Sequence, residues 1–442
     1  MAYSKKLSEF LHSKGVSEGD CIRVEKEGVV YEGLLMPRAT GDEDALVIKL
    51  DSGYNLGVSI SSSTEVKKLS SAKRAKAEEK HGKVFSQKKG LPKIALVTTG
   101  GTIVSRVDYS TGGVSTLTNP EDLIRQFPDL LEACNLRKIV SPFTLMSEDF
   151  VPRDWIALAK TVFAELKESD GVIVTHGTDN LGFSAAMLSF MISTNKTIAL
   201  VGAQRSPDRG SFDGAMNLVC AAHFIAKGKY PGVCLVMHGS SSDDYCFAHK
   251  GTKVRKMHSS RRDAFQSINS LPLAKIYLDG RIEYKTFEST PVEEKLDAVF
   301  EDKVALVKAY ANSDPEFLDF FVEKGKKGII IEATGLGHVP TNTPKSWIPH
   351  VKRAIDKGVF VGITTQTLYG KVNPFVYSNL RKLSETGAVF LKDGLPETML
   401  MKLGWVLAHK WSVKEKMLEN VCGEFNERLK DSEFNAADEK EY

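Results

Sequence analysis

Apolar and polar positions follow three different patterns along the 442 residues of the chain. The first stretch opens with the helically spaced segment KLSEFLHSKG and continues with short strand-like segments, DCIRVEK, VVYEGLLM, ALVIKL and NLGVSI. Glycine and aspartate separate these segments, as in Gly19-Asp20 and Gly41-Asp42. Closely spaced short strands with such turn residues are typical of small β-barrels. The pattern predicts a small β-barrel domain over residues 1–66, of a kind that usually docks or positions other domains.

A different pattern, strand then loop then helix, repeats from residue 92 onward. Continuous apolar runs that end in glycine (KIALVTTGG, GVIVTHG, TIALVG, VCLVMHG) alternate with helically spaced segments such as NPEDLIRQFPDLLEA and PRDWIALAKTVFAELKES. Buried parallel strands read as continuous apolar runs, and this alternation is typical of a parallel sheet covered by helices on both faces. We therefore predict an α/β domain over residues 92–285 that carries the active site.

The same alternation blurs across residues 240–300 and resumes with VALVKAY, GIIIEATGLG and VFVGITTQTL. It predicts a second, smaller α/β domain over residues 300–442. Its tail, residues 413–430, has the spacing of an amphipathic helix. The apolar positions of that helix are Val413, Met417, Leu418, Val421 and Phe425.

Charge is distributed unevenly along the chain. The whole chain carries 59 Lys+Arg against 56 Asp+Glu, a net charge of +3 that excludes a polycation or an acidic disordered chain. The stretch from Lys67 to Lys93, in contrast, contains ten basic and two acidic residues. We interpret residues 67–91 as a basic linker. Either it is a solvated linker, or it contacts RNA phosphates or an acidic partner.

Several classes of protein and site are disfavoured by composition. No apolar run reaches the roughly 18 residues that a membrane span needs, and the first residues lack the apolar segment of a secretory signal. The six cysteines are scattered without a CxxC pair, and the histidines include no HExxH pair. These features favour a reducing, cytoplasmic location and give no support for a metal site.

The loops that follow the predicted parallel strands carry the candidate chemistry. Ligands of open α/β sheets bind at the carboxyl ends of the strands. There the sequence places TTGGTI, THGTDN and GAQR. Glycine lets the backbone approach a ligand closely, and a threonine hydroxyl can attack a carbonyl when a base activates it. Phosphate binding is the alternative, but the chain has neither GxxxxGK[ST] nor GxGxxG spacing here.

The paired motifs TTGGTI and VTHGTDN resemble the two signature motifs of bacterial-type L-asparaginases. IALVGAQRSPDRGSFDGAMNL and KVRKMHSSRRDAFQS resemble two further segments of that family, in the same order, so that the resemblance covers residues 92–410. It implies an asparaginase-type fold of a larger and a smaller α/β domain. It also implies a threonine amidohydrolase with the catalytic residues Thr102 (nucleophile), Tyr109 (on the lid), Thr178, Asp179 and Lys256. A threonine hydroxyl needs proton acceptors beside it, which a Thr178–Lys256–Asp179 relay would provide.

The resemblance implies a substrate-binding set as well. Backbone N–H groups flanked by glycine would stabilise the oxyanion, and the Ser147-Glu148-Asp149 segment would hold the α-carboxylate and amine of the substrate. The family more often has glutamine where Glu148 stands. The predicted binding residues are Gly101, Ser147, Glu148, Gly177, Asp179 and Ala203.

The stretch before residue 92 narrows the resemblance. GDCIRVEKEGVVYEGLLMPRA, LVIKLDSGYNLGVSI and, further on, HKGTKVRKMHSSRRDAFQSIN resemble the family of archaeal glutamyl-tRNA(Gln) amidotransferase D subunits. This implies a glutaminase that forms an acyl-threonine intermediate, binds no cofactor itself and passes ammonia to a partner, the amidotransferase E subunit. The partner activates the glutamate of Glu-tRNA(Gln) with ATP and Mg²⁺ and holds most of the tRNA. A homodimer within a heterotetramer, with no membrane contact, is the implied assembly.

Two other functions stay open at this point. The chain could be an independent asparaginase or glutaminase with an added domain, or a binding module on a degraded amidohydrolase fold. The presence of Thr102, Thr178, Asp179 and Lys256 disfavours the binding module. The extra N-terminal domain disfavours the independent enzyme. Selectivity for glutamine over asparagine depends on about one methylene of pocket depth, for which the sequence has no motif.

Overall fold

The computed structural model describes residues 3–36, 44–50, 55–61, 63–70, 88–101, 105–108, 113–116, 129–206, 211–228, 230–284 and 291–430. In these residues the chain forms a small N-terminal domain and two α/β domains. The statements below refer to these residues.

The N-terminal domain consists of a helix and a five-stranded antiparallel sheet of order β4-β3-β2-β1-β5. Its elements are α1 (Lys5–Ser13), β1 (Cys21–Lys26), β2 (Val29–Leu35), β3 (Ala45–Leu50), β4 (Asn55–Ser59) and β5 (Glu65–Ser70). Ser4 caps α1 by accepting a hydrogen bond from the Leu7 amide, at 3.2 Å. Leu7 and Leu11, one helical turn apart, pack with alternate strand residues such as Ile22 and Val24 in one core.

The predicted strands of this domain are confirmed, and a fifth strand extends it. Strand β5 runs across the expected boundary at residue 66, so Lys67 and Lys68 belong to the sheet rather than to a linker. Lys68 forms an ion pair with the buried carboxylate of Asp20, at 2.7 Å. The rest of the basic stretch, up to residue 87, lies outside the described residues.

The larger α/β domain is built on an eight-stranded sheet of order β18-β17-β14-β13-β12-β10-β6-β9. Its first elements are β6 (Lys93–Thr98), β7 (Ser105–Asp108), β8 (Gly113–Thr116), α2 (Leu130–Ala133), β9 (Asn135–Val140), a 3₁₀ turn (Ser147–Asp149), α3 (Pro152–Leu166), β10 (Gly171–Thr175), α4 (Leu181–Met191), β11 (Ile192–Ser193), β12 (Thr197–Val201) and α5 (Gly214–Gly228). The later ones are β13 (Gly232–His238), β14 (Cys246–Lys250), β15 (Val254–Lys256), β16 (Phe265–Ser267), β17 (Ala274–Ile276), β18 (Ile282–Tyr284) and β19 (Lys295–Leu296).

Strands β9, β6, β10, β12 and β13 are parallel, as the sequence predicts. Both faces of the sheet are buried: Ala95 and Val97 of β6 point into one hydrophobic core, whereas Ile94 and Leu96 point into the other. This explains why the strands are continuous apolar runs in the sequence.

The blurred pattern of residues 240–300 arises from antiparallel structure. Strands β14, β17 and β18 extend the sheet antiparallel to their neighbours, and β15 and β16 form a separate hairpin. The parallel part of the sheet that the sequence predicts therefore ends at β13, and this edge is antiparallel. Of the helix predicted from NPEDLIRQFPDLLEA, only α2 falls within the described residues.

The smaller α/β domain has a four-stranded parallel sheet of order β20-β21-β22-β23. Its elements are β20 (Val304–Lys308), α6 (Glu316–Glu323), β21 (Gly328–Ala333), α7 (Ile348–Asp356), β22 (Phe360–Thr365), α8 (Ser378–Glu385), β23 (Val389–Phe390), α9 (Pro396–Leu407) and α10 (Val413–Leu418). Helix α9 packs against both α4 of the larger domain and β21. It therefore joins the two α/β domains. None of the helices described is long and apolar enough to cross a membrane.

The predicted helix over residues 413–430 was wrong beyond Leu418. The buried carboxylate of Glu424 accepts hydrogen bonds from the backbone amides of Val421 and Cys422, and the buried Lys402 donates to the Glu419 carbonyl. These tertiary contacts replace helical hydrogen bonds. Phe425 is nevertheless buried, so the apolar spacing marked core positions without a helix.

Candidate active site

Three strand-end loops meet at the carboxyl edge of the larger sheet. Strands β6, β10 and β12 are neighbours, and their last residues, Thr98, Thr175 and Val201, are aligned in register. The loops that follow them therefore lie side by side. The amide and the hydroxyl of Thr99 both donate to the Thr175 carbonyl, at 3.1 and 3.0 Å, and connect the first two loops.

Glycine is required where these loops touch. Gly101 has φ +82°, and a Cβ atom there would lie 2.7 Å from the Gly177 nitrogen. A Cβ atom on Gly177 would lie 2.8 Å from the Ser147 hydroxyl oxygen. No real Cβ approaches backbone this closely without a shift, and a positive φ adds strain for any side chain. The glycines that the sequence singled out thus allow three loops to pack in direct contact.

Lys256, Thr178 and Asp179 form one hydrogen-bonded cluster. The Lys256 ammonium donates to the Thr178 hydroxyl oxygen at 2.9 Å and to the Asp179 carboxylate at 2.7 Å. Lys256 ends strand β15, and the β15–β16 hairpin carries it to the edge of the sheet. The Lys256 side chain is 14 % exposed and that of Asp179 is 68 % exposed. A cation is therefore held beside a threonine hydroxyl, with a solvent-accessible carboxylate next to it.

Ser147 is buried at the start of the 3₁₀ turn and is held by the second loop. The Asn180 side chain donates to the Ser147 carbonyl at 2.8 Å, and the Asn180 amide lies 3.4 Å from the Ser147 hydroxyl oxygen. Glu148 and Asp149 are exposed beside it. The turn thus presents a hydroxyl and carboxylates next to the Thr178 loop.

The third loop, which contains Ala203, is fixed by buried polar side chains. Asp213 accepts hydrogen bonds from the backbone amides of Gln204 and Arg205, and Asn217 donates to the Gly202 carbonyl at 3.0 Å. Ala203 itself is buried. The loop reaches Thr178 through Gln204, whose side-chain carbonyl oxygen lies 3.4 Å from the Thr178 hydroxyl.

His176 is structural. The Trp155 indole donates to the Ser184 hydroxyl, which contacts the His176 Nε2 atom at 2.8 Å, while Nδ1 faces the Gly177 carbonyl at 2.7 Å. Because a carbonyl only accepts, this arrangement requires a hydrogen on Nδ1. Burial lowers the pKa of His176 from 6.5 to about 4. His176 is thus an uncharged support for the Gly177–Thr178 loop.

Two of the predicted catalytic residues, Thr102 and Tyr109, lie outside the described residues. The structure brings together the other three, Thr178, Asp179 and Lys256. Of the predicted binding residues, Gly101, Gly177 and Ser147 lie where the loops touch. Cys246 and His249 are buried in the core of the larger domain. Burial raises the pKa of the Cys246 thiol well above its usual range, and His249 lies in the core, where burial lowers its pKa to about 3.

Nowhere among the residues that the structure describes do three His, Cys, Asp or Glu side chains converge in a way that could hold a metal ion.

Sequence reasoning did not assign Asn180 and Gln204, which contact Ser147 and Thr178. Each stands in a quoted motif, THGTDN or GAQR, so the signal was their position at a strand end beside a recognised residue. The family resemblance selected Lys256 and not its neighbours Lys253 and Arg255, and the structure shows that these neighbours have other partners. Lys253 pairs with Asp393, and Arg255 pairs with Glu397.

Comparisons with known protein families match most of the chain. Residues 16–69 match the family described as GatD N-terminal domain. Residues 93–289 match the family described as asparaginase, N-terminal. Residues 303–417 match the glutaminase/asparaginase C-terminal domain.

Similar proteins cover nearly the full length. The D subunit of glutamyl-tRNA(Gln) amidotransferase from Pyrococcus furiosus is 46% identical over 97% of this chain and 99% of its own. The protein of the same name from Methanosarcina mazei is 44% identical over 93% of this chain and 98% of its own. Among solved structures, the thermostable L-asparaginase from Thermococcus kodakarensis superimposes with a TM-score of 0.68 at 27% identity, over 76% of this chain and all of its own.

Proposed function

The chain belongs to the family of glutamyl-tRNA(Gln) amidotransferase D subunits, with an asparaginase-type fold, and from this premise we propose that it is the glutaminase component of that enzyme. It hydrolyses glutamine and delivers ammonia to its partner, the E subunit, for the conversion of Glu-tRNA(Gln) to Gln-tRNA(Gln). The observation that carries the proposal is the Lys256–Thr178–Asp179 cluster at the strand edge, in a chain that also has the N-terminal domain.

The first half of the reaction follows from threonine chemistry. The Thr102 hydroxyl oxygen bonds to the carboxamide carbon of glutamine, and its proton is relayed toward the leaving nitrogen. The C–N bond breaks, ammonia leaves, and an acyl-threonine ester remains. Thr178 and Lys256 supply the proton relay, and loop amides at Gly101 and Gly177 are the proposed donors to the oxyanion.

The second half regenerates the threonine. A water molecule bonds to the ester carbon, the bond to the Thr102 oxygen breaks, and Thr102 recovers its proton. The products are glutamate and a proton released to solvent. The exposed Asp179 carboxylate binds the substrate ammonium, and Ser147 and Glu148 flank the α-carboxylate and amine. Tyr109 closes over the substrate.

The division of work between the two proteins follows from the chemistry of ammonia. At neutral pH free ammonia is mostly protonated and then lacks the lone pair needed for attack, so a protected transfer to the partner is required. In this proposal, the partner uses ATP and Mg²⁺ to activate the tRNA-bound glutamate, and this chain binds no cofactor of its own. A homodimer within a heterotetramer is the proposed assembly.

The test compares glutamine hydrolysis by the purified chain alone with hydrolysis in the presence of the E subunit and Glu-tRNA(Gln). We expect the partner and its tRNA to increase ammonia production and to couple it to formation of Gln-tRNA(Gln). Strong hydrolysis that the partner leaves unchanged would instead favour an independent asparaginase or glutaminase. Free ammonium salt should support amidation by the complex even when Thr102 is replaced by alanine.

A further inference from the structure

The loop after β12 contacts Thr178 from two sides. A Cβ atom on Gly202 would lie 2.7 Å from the Thr178 methyl carbon, so the glycine allows the methyl to pack directly on the loop. The Gln204 side-chain carbonyl oxygen lies 3.4 Å from the Thr178 hydroxyl. This separation is long for such a hydrogen bond. The same loop thus contacts both the methyl group and the hydroxyl group of Thr178.

Fully buried polar side chains hold this loop in place. The Asp213 carboxylate accepts a hydrogen bond from the backbone amide of Gln204 at 2.9 Å. The Asn217 side chain donates to the Gly202 carbonyl and also contacts the buried His238 ring. Charged acceptors on backbone amides in the protein interior form strong hydrogen bonds. The position of Gln204 is therefore set by the core of the domain and not by solvent.

The Thr178 hydroxyl group has two polar neighbours, Lys256 and Gln204. A threonine hydroxyl has one hydrogen and two lone pairs. When the Lys256 ammonium donates to the Thr178 oxygen, the hydroxyl hydrogen must point elsewhere, and the Gln204 carbonyl oxygen accepts it. When Lys256 is a neutral amine, Thr178 can donate to it instead. If the side-chain amide of Gln204 is rotated by half a turn, its Nε2 atom then donates to the Thr178 hydroxyl oxygen.

Only a side-chain amide combines a strong acceptor and a strong donor without charge at this length. The Gln204 Nε2 atom is buried and has no hydrogen-bond partner among the described residues, so it is a donor available for the second arrangement. Glutamate would support only the first arrangement at high pH, and methionine neither.

We propose that Gln204 is a positioning residue that sets the direction of the Thr178 hydroxyl and thereby the protonation state in which Lys256 works. The inference rests on the proposed glutaminase function and adds a residue to its relay. Gln204 acts through Thr178 and not on the substrate, so its replacement affects kcat more than KM.

The experiment measures kcat and KM for glutamine between pH 5 and 10 in the full chain, under the conditions where the wild type is active. Gln204→Glu places a carboxylate that stabilises the ammonium form of Lys256. We expect the alkaline rise of kcat to move up by about one pH unit or more. Gln204→Met removes both polar atoms, and we expect kcat to fall about 10- to 100-fold without that shift. The pH at which kcat rises does not depend on the fraction of folded enzyme, so partial unfolding of a variant cannot imitate the shift.

Gln366→Glu and Gln366→Met provide the matched control, because the Gln366 side chain donates to the Ala309 carbonyl in the smaller domain, at 2.8 Å. These variants should keep the wild-type pH profile. An equal loss of kcat in both Gln204 variants with an unmoved profile would overturn the inference, since it indicates a structural role. Wild-type kcat and pH profile in both Gln204 variants would also overturn the inference. A wild type that does not hydrolyse glutamine would instead refute the proposed function.

Discussion

Lys256 shows how much a single residue depends on its surroundings. Sequence spacing alone places it in a basic stretch with Lys253 and Arg255, yet the three side chains have different partners. Lys253 is fully buried with Asp393, Arg255 pairs with Glu397, and Lys256 alone reaches Thr178 and Asp179. Family resemblance selected Lys256, and the hydrogen bonds supply the physical reason for that choice.

Replacement of the two central residues of the proposed relay should abolish or nearly abolish glutamine hydrolysis. Thr102→Ala removes the proposed nucleophile, and Lys256→Met removes the proposed proton-exchanging partner of Thr178. We expect Lys256→Met to lower kcat by about 10²- to 10⁴-fold, the usual contribution of general acid–base groups. The rate of ammonia release from glutamine measures the activity of both variants. Lys250→Met, a change at the end of β14, serves as the control, and a Lys256 variant with wild-type kcat would remove the lysine from the relay.

The buried histidines should make the fold sensitive to acid. The pKa of His176 is about 4 in the folded chain, against the ordinary value of 6.5 that applies once the chain unfolds, so the unfolded chain binds more protons between these pH values. Stability is therefore fully present above about pH 6.5 and falls as the pH decreases toward 4, by about 3 kcal/mol for this residue. His249, with a pKa of about 3, acts in the same direction.

Urea unfolding at pH 7, 6, 5 and 4 measures this effect. His176→Gln should reduce the loss of stability on acidification, although it lowers the stability at pH 7. His258→Gln, at an exposed position on the hairpin loop, should leave the slope unchanged. An identical slope in wild type and His176→Gln would show that His176 is already protonated in the fold.

At the scale of elements, strands were predicted better than the segments that connect them. A buried parallel strand is recognisable because both of its faces are apolar, as in β6 and β10. The C-terminal tail has helical spacing but is helical only over α10, because Lys402 of α9 and Glu424 hold it in another conformation. Local spacing identifies buried positions, while long-range ion pairs decide the backbone path.

The pair of Lys402 and Glu424 should be costly to break. Both side chains are fully buried and their charged atoms are 2.6 Å apart. Lys402→Met leaves a buried carboxylate without its cation, and we expect a loss of about 3–5 kcal/mol in the free energy of unfolding. The double variant Lys402→Met/Glu424→Leu should recover part of this loss. Denaturant unfolding gives both values.

The control for this prediction is the exposed pair Lys352–Asp356 on α7. Lys352→Met should cost less than about 1 kcal/mol, because solvent screens exposed pairs. If Lys402→Met were equally mild, the tail would not depend on the buried pair.

In the molecule as a whole, buried polar contacts join the two α/β domains beside the β15–β16 hairpin, and we call this set of contacts the polar seam. Lys253 and Asp393 join the domains at 2.6 Å, and the Asn269 side chain contacts the backbone of Leu368 and Gly370. Thr398 of α9 donates to the Thr252 carbonyl. The hairpin that carries Lys256 is therefore supported by the smaller domain as well as by the larger one.

Cutting this seam should affect stability and turnover together. Asp393→Asn leaves the Lys253 ammonium buried without a counterion, and we expect a cost of about 3–5 kcal/mol. Because the hairpin also carries Lys256, kcat should fall in the folded variant. Calorimetry and steady-state kinetics measure the two effects. Asp314→Asn, which removes an exposed carboxylate of the smaller domain, should change neither; a stable, fully active Asp393→Asn would show that the seam does not support the hairpin.

The parallel strands, the strand-end loops and the glycines within them can be recognised from the amino-acid sequence alone. These are local properties: continuous apolar runs mark buried strands, and only glycine fits where Gly101 meets Gly177. The contact of Gln204 with Thr178 and the path of the tail, in contrast, follow only from the folded chain, which also supplies the physical basis for the choice of Lys256. Those contacts join residues far apart in the chain, and they depend on how the sheet, the hairpin and the smaller domain pack around one edge.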